Sequence, residues 1–326
     1  MKGAFSDMNQ PLQISIVVPL YNEAESLPEL HDWIVRVMHK HNFSYEILFV
    51  DDGSSDDSWD VIKHLSLGNH AVRGYKFTRN YGKTAALQTA FINTKGDVVI
   101  TMDADLQDSP DEIPELYRMI IEEGYDLVSG WKKKRYDPIT KTLPTKLFNS
   151  ISRWLSGVNL HDFNCGLKAY KSRVVKSITI YGEMHRNIPI IAKWNGFKKI
   201  GEKVVQHQAR KYGTTKFGLE RFIFGFLDLL TVAFVNKFGR RPMHFFGTMG
   251  VLSFLIGSLM AIYLLFEKLY NISQGLRYRN VTDNPLFFLA LVAIIIGSQL
   301  FLAGFIGELF VKQNFKKDEY LIEEHV

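Results

Sequence analysis

Short apolar runs alternate with amphipathic stretches over the first 130 residues of the chain. Ile14 to Pro19, Glu46 to Val50, Val72 to Phe77, Val98 to Met102 and Asp126 to Ser129 have the length and pattern of strands. Ser55 to Leu65, Gly82 to Asn93 and Pro110 to Glu122 carry helical periodicity between them. Such alternation predicts an α/β domain with a mainly parallel sheet covered on both faces, which binds ligands at the carboxyl ends of its strands. Pro19 and Asn22 predict that the first strand turns there rather than running on as a central strand. From Thr140 to His207 the pattern loosens into a helix around Lys146 to Ser156, a loop through Asp162 to Gly166 and a strand-like Lys198 to His207. This stretch is expected to form the acceptor-side half of the same domain.

The last third is different. Phe245 to Phe266 and Leu286 to Gly307 each run 22 residues without a charge, long enough to span a bilayer. Phe222 to Val235 is apolar apart from Asp228, Thr231 and Gly225; being too short to cross, it is expected to lie along the membrane surface. A core helix of the globular domain is the alternative. Lys237, Arg240, Arg241, Lys312, Lys316 and Lys317 flank the spans on the outside, against Lys268, Arg277 and Arg279 in the loop between them. That bias predicts a cytoplasmic catalytic domain and a cytoplasmic C-terminus. The expected organisation is a catalytic domain over 1–215, a juxtamembrane amphipathic region over 216–243, a two-helix transmembrane hairpin over 244–311 and a tail over 312–326.

Charge and cysteine content narrow the partners. A formal charge of +5 suits phosphate-bearing ligands or an anionic membrane surface. No zinc-finger spacing, RNP-like aromatic motif or dense Lys/Arg stripe points to nucleic acid, which is not expected as a partner. Cys165 stands alone, which rules out an intrachain disulfide and suits a reducing compartment. Met1 to Pro11 lack the basic start and apolar stretch of a signal peptide, so the N-terminal domain is expected to stay where it is made.

Polar residues cluster where strands end. Tyr21 and Glu23 leave the first strand in VPLYNE and could stack on a base and accept its hydrogen bonds; a helix start with acids near the dipole explains them equally. Asp51 and Asp52 leave the second strand before Gly53, and Asp-Gly is a common turn pair, so Asp51 is the better ligand candidate. After the fourth strand, Asp103-Ala104-Asp105 places two carboxylates at i and i+2, where they could share Mg²⁺ or Mn²⁺ with a diphosphate. Helix capping by Asp108 or Ser109, with Pro110 and Glu112, explains that stretch but not the Asp103–Asp105 pair. Gly82-Lys83-Thr84 is no phosphate loop, because the required earlier glycine is Phe77; Lys83 could still stand near a diphosphate.

VPLYNE, DDGSSDDS, the Asn80 to Lys83 segment and DADLQDSPDEIP, in this order, resemble the family-two glycosyltransferases of GT-A fold. DFNCGLKAY from Asp162 and RKYGTTK from Arg210 are similar to later motifs of the dolichol-phosphate mannose synthase and polyprenyl-phosphate glucosyltransferase branch, which commonly has Ser where Thr215 stands. The resemblance implies a GT-A, Rossmann-like domain followed by the surface helix and two transmembrane helices. It implies that Pro19, Tyr21, Glu23, Asp51, Asp103, Ala104 and Gln107 line the nucleotide sugar, with Lys83 near its diphosphate. Asp105 becomes the main metal ligand beside Asp103, and Arg210 and Lys216 hold phosphates of donor or acceptor. Asp162 could orient the sugar or act as base, or simply fix its loop. Lys132 to Arg135 could form a cationic lid, with Arg135 the strongest candidate, or be a solvated charge run.

The implied reaction is an inverting transfer of a hexose from a UDP-glucose- or GDP-mannose-type donor to a polyprenyl phosphate, and relatives suggest a homo-oligomer. A processive polysaccharide synthase would carry Gln-x-x-Arg-Trp after the second catalytic Asp; here Arg153-Trp154 has Ser150 at the first position and precedes Asp162. A catalytically inactive, nucleotide-sugar-binding membrane scaffold is the remaining rival.

Overall fold

A computed structural model describes residues 12–133, 149–208, 211–212, 227, 229–231, 233–235, 237–239, 241–277 and 279–313. The chain divides into two compact units, Met1–Ala233 and Phe234–Val326.

The first unit is built on one seven-stranded sheet. Its strands are β1 (Ile14–Leu20), β2 (Tyr45–Asp51), β3 (Val72–Lys76), β4 (Val98–Thr101), β5 (Leu127–Trp131), β6 (Lys168–Lys171) and β7 (Ile200–Val204), in spatial order β3-β2-β1-β4-β6-β5-β7. β1 to β4 pair parallel to one another, and β6 alone runs antiparallel, between β4 and β5. Helices α1 (Leu27–Lys40), α2 (Ser58–Gly68) and α4 (Ile113–Ile121) pack on one face, and α3 (Lys83–Asn93) with the helices Ser172–Ser177 and Ile188–Trp194 covers the other. Alternation along the strands decides which residue meets which layer: Ile14, Ile16 and Val18 join the first cluster while Val17 joins the second.

β1 ends at Leu20 and the chain bends at Tyr21 and Asn22, as expected, but β1 is a central strand of the sheet, which Pro19 argues against. Val17 O accepts from Met102 N, so odd positions of β1 face β4, and the β4 ladder ends at the Val17–Thr101 pair. The N–H that Pro19 lacks would have pointed past the end of β4, where no acceptor needs it. α2 begins at Ser58 rather than Ser55, because 55–57 belong to a turn in which Ser55 N donates to Asn22 Oδ1 at 2.8 Å. The helix expected from Pro110 opens with a 3-10 turn, Pro110–Glu112, before α4. β6 escaped the sequence pattern because lysines stand at both of its ends, and one of them, Lys168, is buried.

These directions gather the loops. The carboxyl ends of β1, β2 and β4 lie at one edge of the sheet, and β6 starts there too, since Lys168 pairs with Thr101. Ser129 also pairs with Lys168, which brings the end of β5 to the same edge. Of the segment expected to lie along the membrane, residues 227, 229–231 and 233–235 are helical, and Leu229 is buried among Val158, Leu160, Phe163 and Ile190.

In the second unit, helices Pro242–Ser273 and Pro285–Gln313 are long and apolar enough to cross a membrane. They pack closely along glycines. A Cβ on Gly250 would stand 2.7 Å from both Gly297 O and Phe301 N, and one on Gly257 would stand 2.7 Å from Ala290 O. Ser253 Oγ adds an interhelical bond to Ala293 O at 2.8 Å. Small residues replace hydrophobic burial as the means of association where the surrounding solvent is itself apolar.

Gly250→Leu should therefore destabilise the hairpin by about 1–3 kcal/mol through overpacking, read as a lower midpoint in an SDS titration of the detergent-solubilised chain followed by circular dichroism. Leu259→Ala, at an exposed position of the same helix, serves as the control; equal midpoints for the two variants would refute the close packing.

Candidate active site

The loops after β1 and β2 are laced together by backbone donors. Asn22, at φ 54°, donates its N–H to Ser54 Oγ at 2.9 Å, and Glu23 N donates to Ser58 Oγ at 3.0 Å. Tyr21 and Glu23 remain partly exposed on this lacing. The two acids that end β2 then separate in role. Asp52 accepts from Tyr81 N at 2.7 Å and Gly82 N at 2.9 Å, which fixes the turn into α3. Burial pushes its carboxyl up, and the two amides offset part of that effect. Gly53, at φ +73°, comes so close to the Arg79 backbone that a Cβ would sit 2.4 Å from the Arg79 carbonyl carbon. Asp51 is fully enclosed: Oδ1 accepts from Ser54 N at 2.8 Å, while Oδ2 is buried without a hydrogen-bond partner among the described residues.

A cleft opens beside the end of β4, lined by Pro19, Lys83, Thr101, Asp103, Asn164, Gly166, Lys168 and Arg186 among others. Lys83, the first residue of α3, forms an ion pair with Asp103 Oδ1. Burial would raise the Asp103 carboxyl, but Lys83, Lys132 and Lys168 outweigh it and hold the group at about 2. Gly166 is the other half of this arrangement, since a Cβ there would stand 2.6 Å from the Asp103 carboxylate. Thr101 Oγ1 donates to Gly166 O at 2.8 Å and ties the 162–167 loop to the strand.

A second, more deeply buried pair follows, with Lys132 Nζ 2.7 Å from Asp108 Oδ1. Burial opposes the charge on Lys132, yet Asp108 and Asp103 raise its pKa well above the usual range. Lys132 is thus neither a lid nor a solvated cation. Asp108 is likewise no helix cap; Ser109 takes that part, accepting from Asp111 N at 3.3 Å. Lys168 donates to Cys165 O, and burial lowers its pKa. Burial also pushes the Cys165 thiol up to about 12.

Asp105 is half-buried and accepts from Gln107 N at 3.2 Å across a turn in which Leu106 adopts φ 60°. Gln107 is held in turn by backbone and side-chain contacts to Gln208. Ala104 is buried between the two acids. Asp162 is 1% exposed, and its Oδ1 accepts from Asn164 N at 3.0 Å, so its carboxylate fixes the loop that carries Asn164 and Gly166. Arg135, Arg210 and Lys216 lie outside the described residues.

Among the described residues no group of three His, Cys, Asp or Glu side chains converges as a protein-only metal cage. Asp103 has one oxygen paired with Lys83, and Asp105, half-buried two residues on, accepts from Gln107 N. One or two carboxylates fit Mg²⁺ or Mn²⁺ when phosphate and water complete the shell. Sequence reasoning passed over Lys168, Gly166, Thr84, His185 and Arg186. Lys168 and Gly166 stood inside a quoted motif, but only the antiparallel course of β6 brings them against Asp103.

The comparisons follow the same geometry. The glycosyl transferase family 2 profile matches residues 15–179. Dodecaprenyl-phosphate galacturonate synthase of Rhizobium johnstonii is 32% identical over 316 residues, covering 96% of this chain and 92% of that protein. Undecaprenyl-phosphate 4-deoxy-4-formamido-L-arabinose transferase of Shewanella sediminis is 34% identical, covering 90% of this chain and 86% of that one. Mannosyl-3-phosphoglycerate synthase from Rubrobacter xylanophilus superposes with a TM-score of 0.54 at 20% identity, over 69% of this chain and 75% of its own. Glucosyl-3-phosphoglycerate synthase from Mycobacterium tuberculosis, solved with Mn²⁺ and UDP-glucose, superposes with a TM-score of 0.51 at 20% identity, over 68% of this chain and 78% of its own. With a sheet of GT-A type, the acid turn at its carboxyl edge and relatives aligned along nearly the whole length, the chain belongs to glycosyl transferase family 2.

Proposed function

We propose that the protein transfers a sugar from a nucleotide diphosphate to a polyprenyl phosphate at the cytoplasmic face of a membrane. The observation that carries this reading is the Asp103–Asp105 turn, which opens at the sheet edge beside Lys83 in a chain that ends in two apolar helices. The two relatives named above act on dodecaprenyl and undecaprenyl phosphate, and their alignment runs through those helices. Their sugars are a galacturonate and a formamido-arabinose rather than glucose or mannose, so the mass of the product distinguishes a neutral hexose from a uronate or a formamido-pentose.

An oxygen of the acceptor phosphate attacks the anomeric carbon, forming the new C–O bond as the bond to the nucleoside diphosphate breaks. A phosphate is already ionised near neutral pH, so positioning and electrostatics carry more of the rate than a general base does. Asp51 offers its unpaired oxygen to the nucleoside, beside Tyr21 and Glu23. Asp103, Gln107 and Pro19 line the donor. Asp162 positions the loop that closes the sugar end. A divalent cation held by Asp105 would supply charge neutralisation for the departing diphosphate.

Asp105→Asn should lower divalent-dependent transfer by at least about 10²-fold, comparable with the loss of one transition-state electrostatic contact. The assay is radiolabelled sugar from the nucleotide donor recovered in organic extract, and undiminished turnover would remove Asp105 from the reaction. Label recovered as water-insoluble polymer would favour a processive synthase, and no turnover by the wild type would favour an inactive scaffold.

The Lys83 pair makes a second prediction. Asp103 titrates at about 2, below its usual range, so in the wild type it stays ionised throughout the working range. Its stabilising contribution is present above its unfolded pKa of about 3.9 and fades as pH falls towards 2. Lys83→Ala removes the nearest cation, lets the carboxyl rise, and should move the acid limb of kcat/KM to higher pH. Coincident acid limbs for variant and wild type would contradict the proposed coupling.

A further inference from the structure

Arg186 has no part in the reading above, yet it lines the same cleft as Asp103 and Lys83. It closes a 3-10 turn, Met184–Arg186, that is clamped from both sides. Met184 and Ile188 are seated in the core against α3. Between them His185 is buried, with its Nδ1 2.9 Å from Thr84 Oγ1, one residue after Lys83; its own N–H also reaches that oxygen, at 3.4 Å. The turn is therefore docked on the first turn of α3, and Arg186 is delivered to the cleft from a fixed backbone.

The charges in the cleft do not balance without a ligand. Among the described residues lining it, Asp103 is the one carboxylate, and Lys83 is already its partner. Lys168 lines the cleft but is buried, donating to Cys165 O. Arg186 is half-buried, and no carboxylate of the described residues lies within ion-pair distance of its guanidinium. A guanidinium cannot shed its proton to escape such a position, and its planar fork matches a carboxylate or phosphate through two parallel bonds. Pairing it would satisfy donors that the described residues leave open.

We infer that Arg186 is an oxyanion-binding residue of the cleft, taking either the phosphate of the lipid acceptor or a carboxylate carried on the donor sugar. The inference rests on the glycosyl-transfer reading and adds to it the residue that selects for negative charge at the reacting end. Both sources present the same chemistry, two oxygens sharing one charge.

Binding to the full-length chain in detergent separates the possibilities, using wild type, Arg186→Gln and Arg186→Lys. UDP and GDP report the nucleotide site. Farnesyl phosphate, added with saturating nucleotide, reports the acceptor phosphate, and UDP-galacturonate against UDP-galactose reports a sugar carboxylate. Arg186→Gln should leave nucleotide affinity unchanged. It should weaken farnesyl phosphate about tenfold or more if the acceptor is the source, or abolish a preference for UDP-galacturonate if the sugar is, the loss expected of one charge-assisted contact. Arg186→Lys, which keeps the charge without the fork, should recover part of the loss. Equal affinities of wild type and Arg186→Gln for all these probes would overturn the inference. So would a proportional loss of nucleotide affinity, which would make Arg186 a support of the fold. A wild type that bound neither UDP nor GDP would instead overturn the glycosyl-transfer reading on which this one rests.

Discussion

Charged side chains brought out of water at the end of a sheet have to be compensated where they stand, and this constraint organises the first unit. Desolvation disfavours every ionised group taken singly, so a buried carboxylate survives as an anion only beside cations fixed at short range. Two pairs sit at the carboxyl edge: the half-buried Lys83 with Asp103 and the more deeply buried Lys132 with Asp108. Each joins elements far apart in sequence, from α3 to the end of β4 and from the end of β5 to the turn before α4. Removing one member would strand its partner's charge, and the local cost of that is larger than the net worth of the pair. The price of ordering the site is thus met by the fold that carries it.

Glycines make the approach possible. Gly166 lets the loop before β6 come against the Asp103 carboxylate, and Gly53 lets the loop after β2 touch the backbone at Arg79. Asp52 and Asp162 both spend their oxygens on backbone amides, holding loops whose other residues face the cleft. The site is assembled largely from acids whose work is local, and Asp103 and Asp105 are the acids proposed to meet the ligand.

The parallel half of the sheet and the two apolar helices were legible because their signals are periodic and local: β-strand runs flanked by helical periodicity, and long stretches without charge. The acid turn after β4 was legible because helix capping does not account for Asp103 and Asp105. Other features were hidden by tertiary context. Pro19 argued against a central strand, yet a missing N–H matters only when a neighbouring strand needs it, and β4 ends one pair too early to do so. β6 looked polar because a buried lysine cannot be told from a solvated one by composition. Lys132 was grouped with its charged successors, although burial against Asp108 sets it apart. Arg186 carries no local signature at all, since its place depends on Thr84, which lies 101 residues before His185.

Cys165 sits within this arrangement as the chain's single thiol, enclosed and with its pKa pushed up to about 12. Thiolate is the form that reacts with maleimides and iodoacetamides, so burial and the raised pKa both work against labelling of Cys165 in the folded chain. The wild-type chain is in effect a silent background for labelling. A cysteine introduced on any exposed loop can carry a fluorophore or spin label without first deleting the natural one.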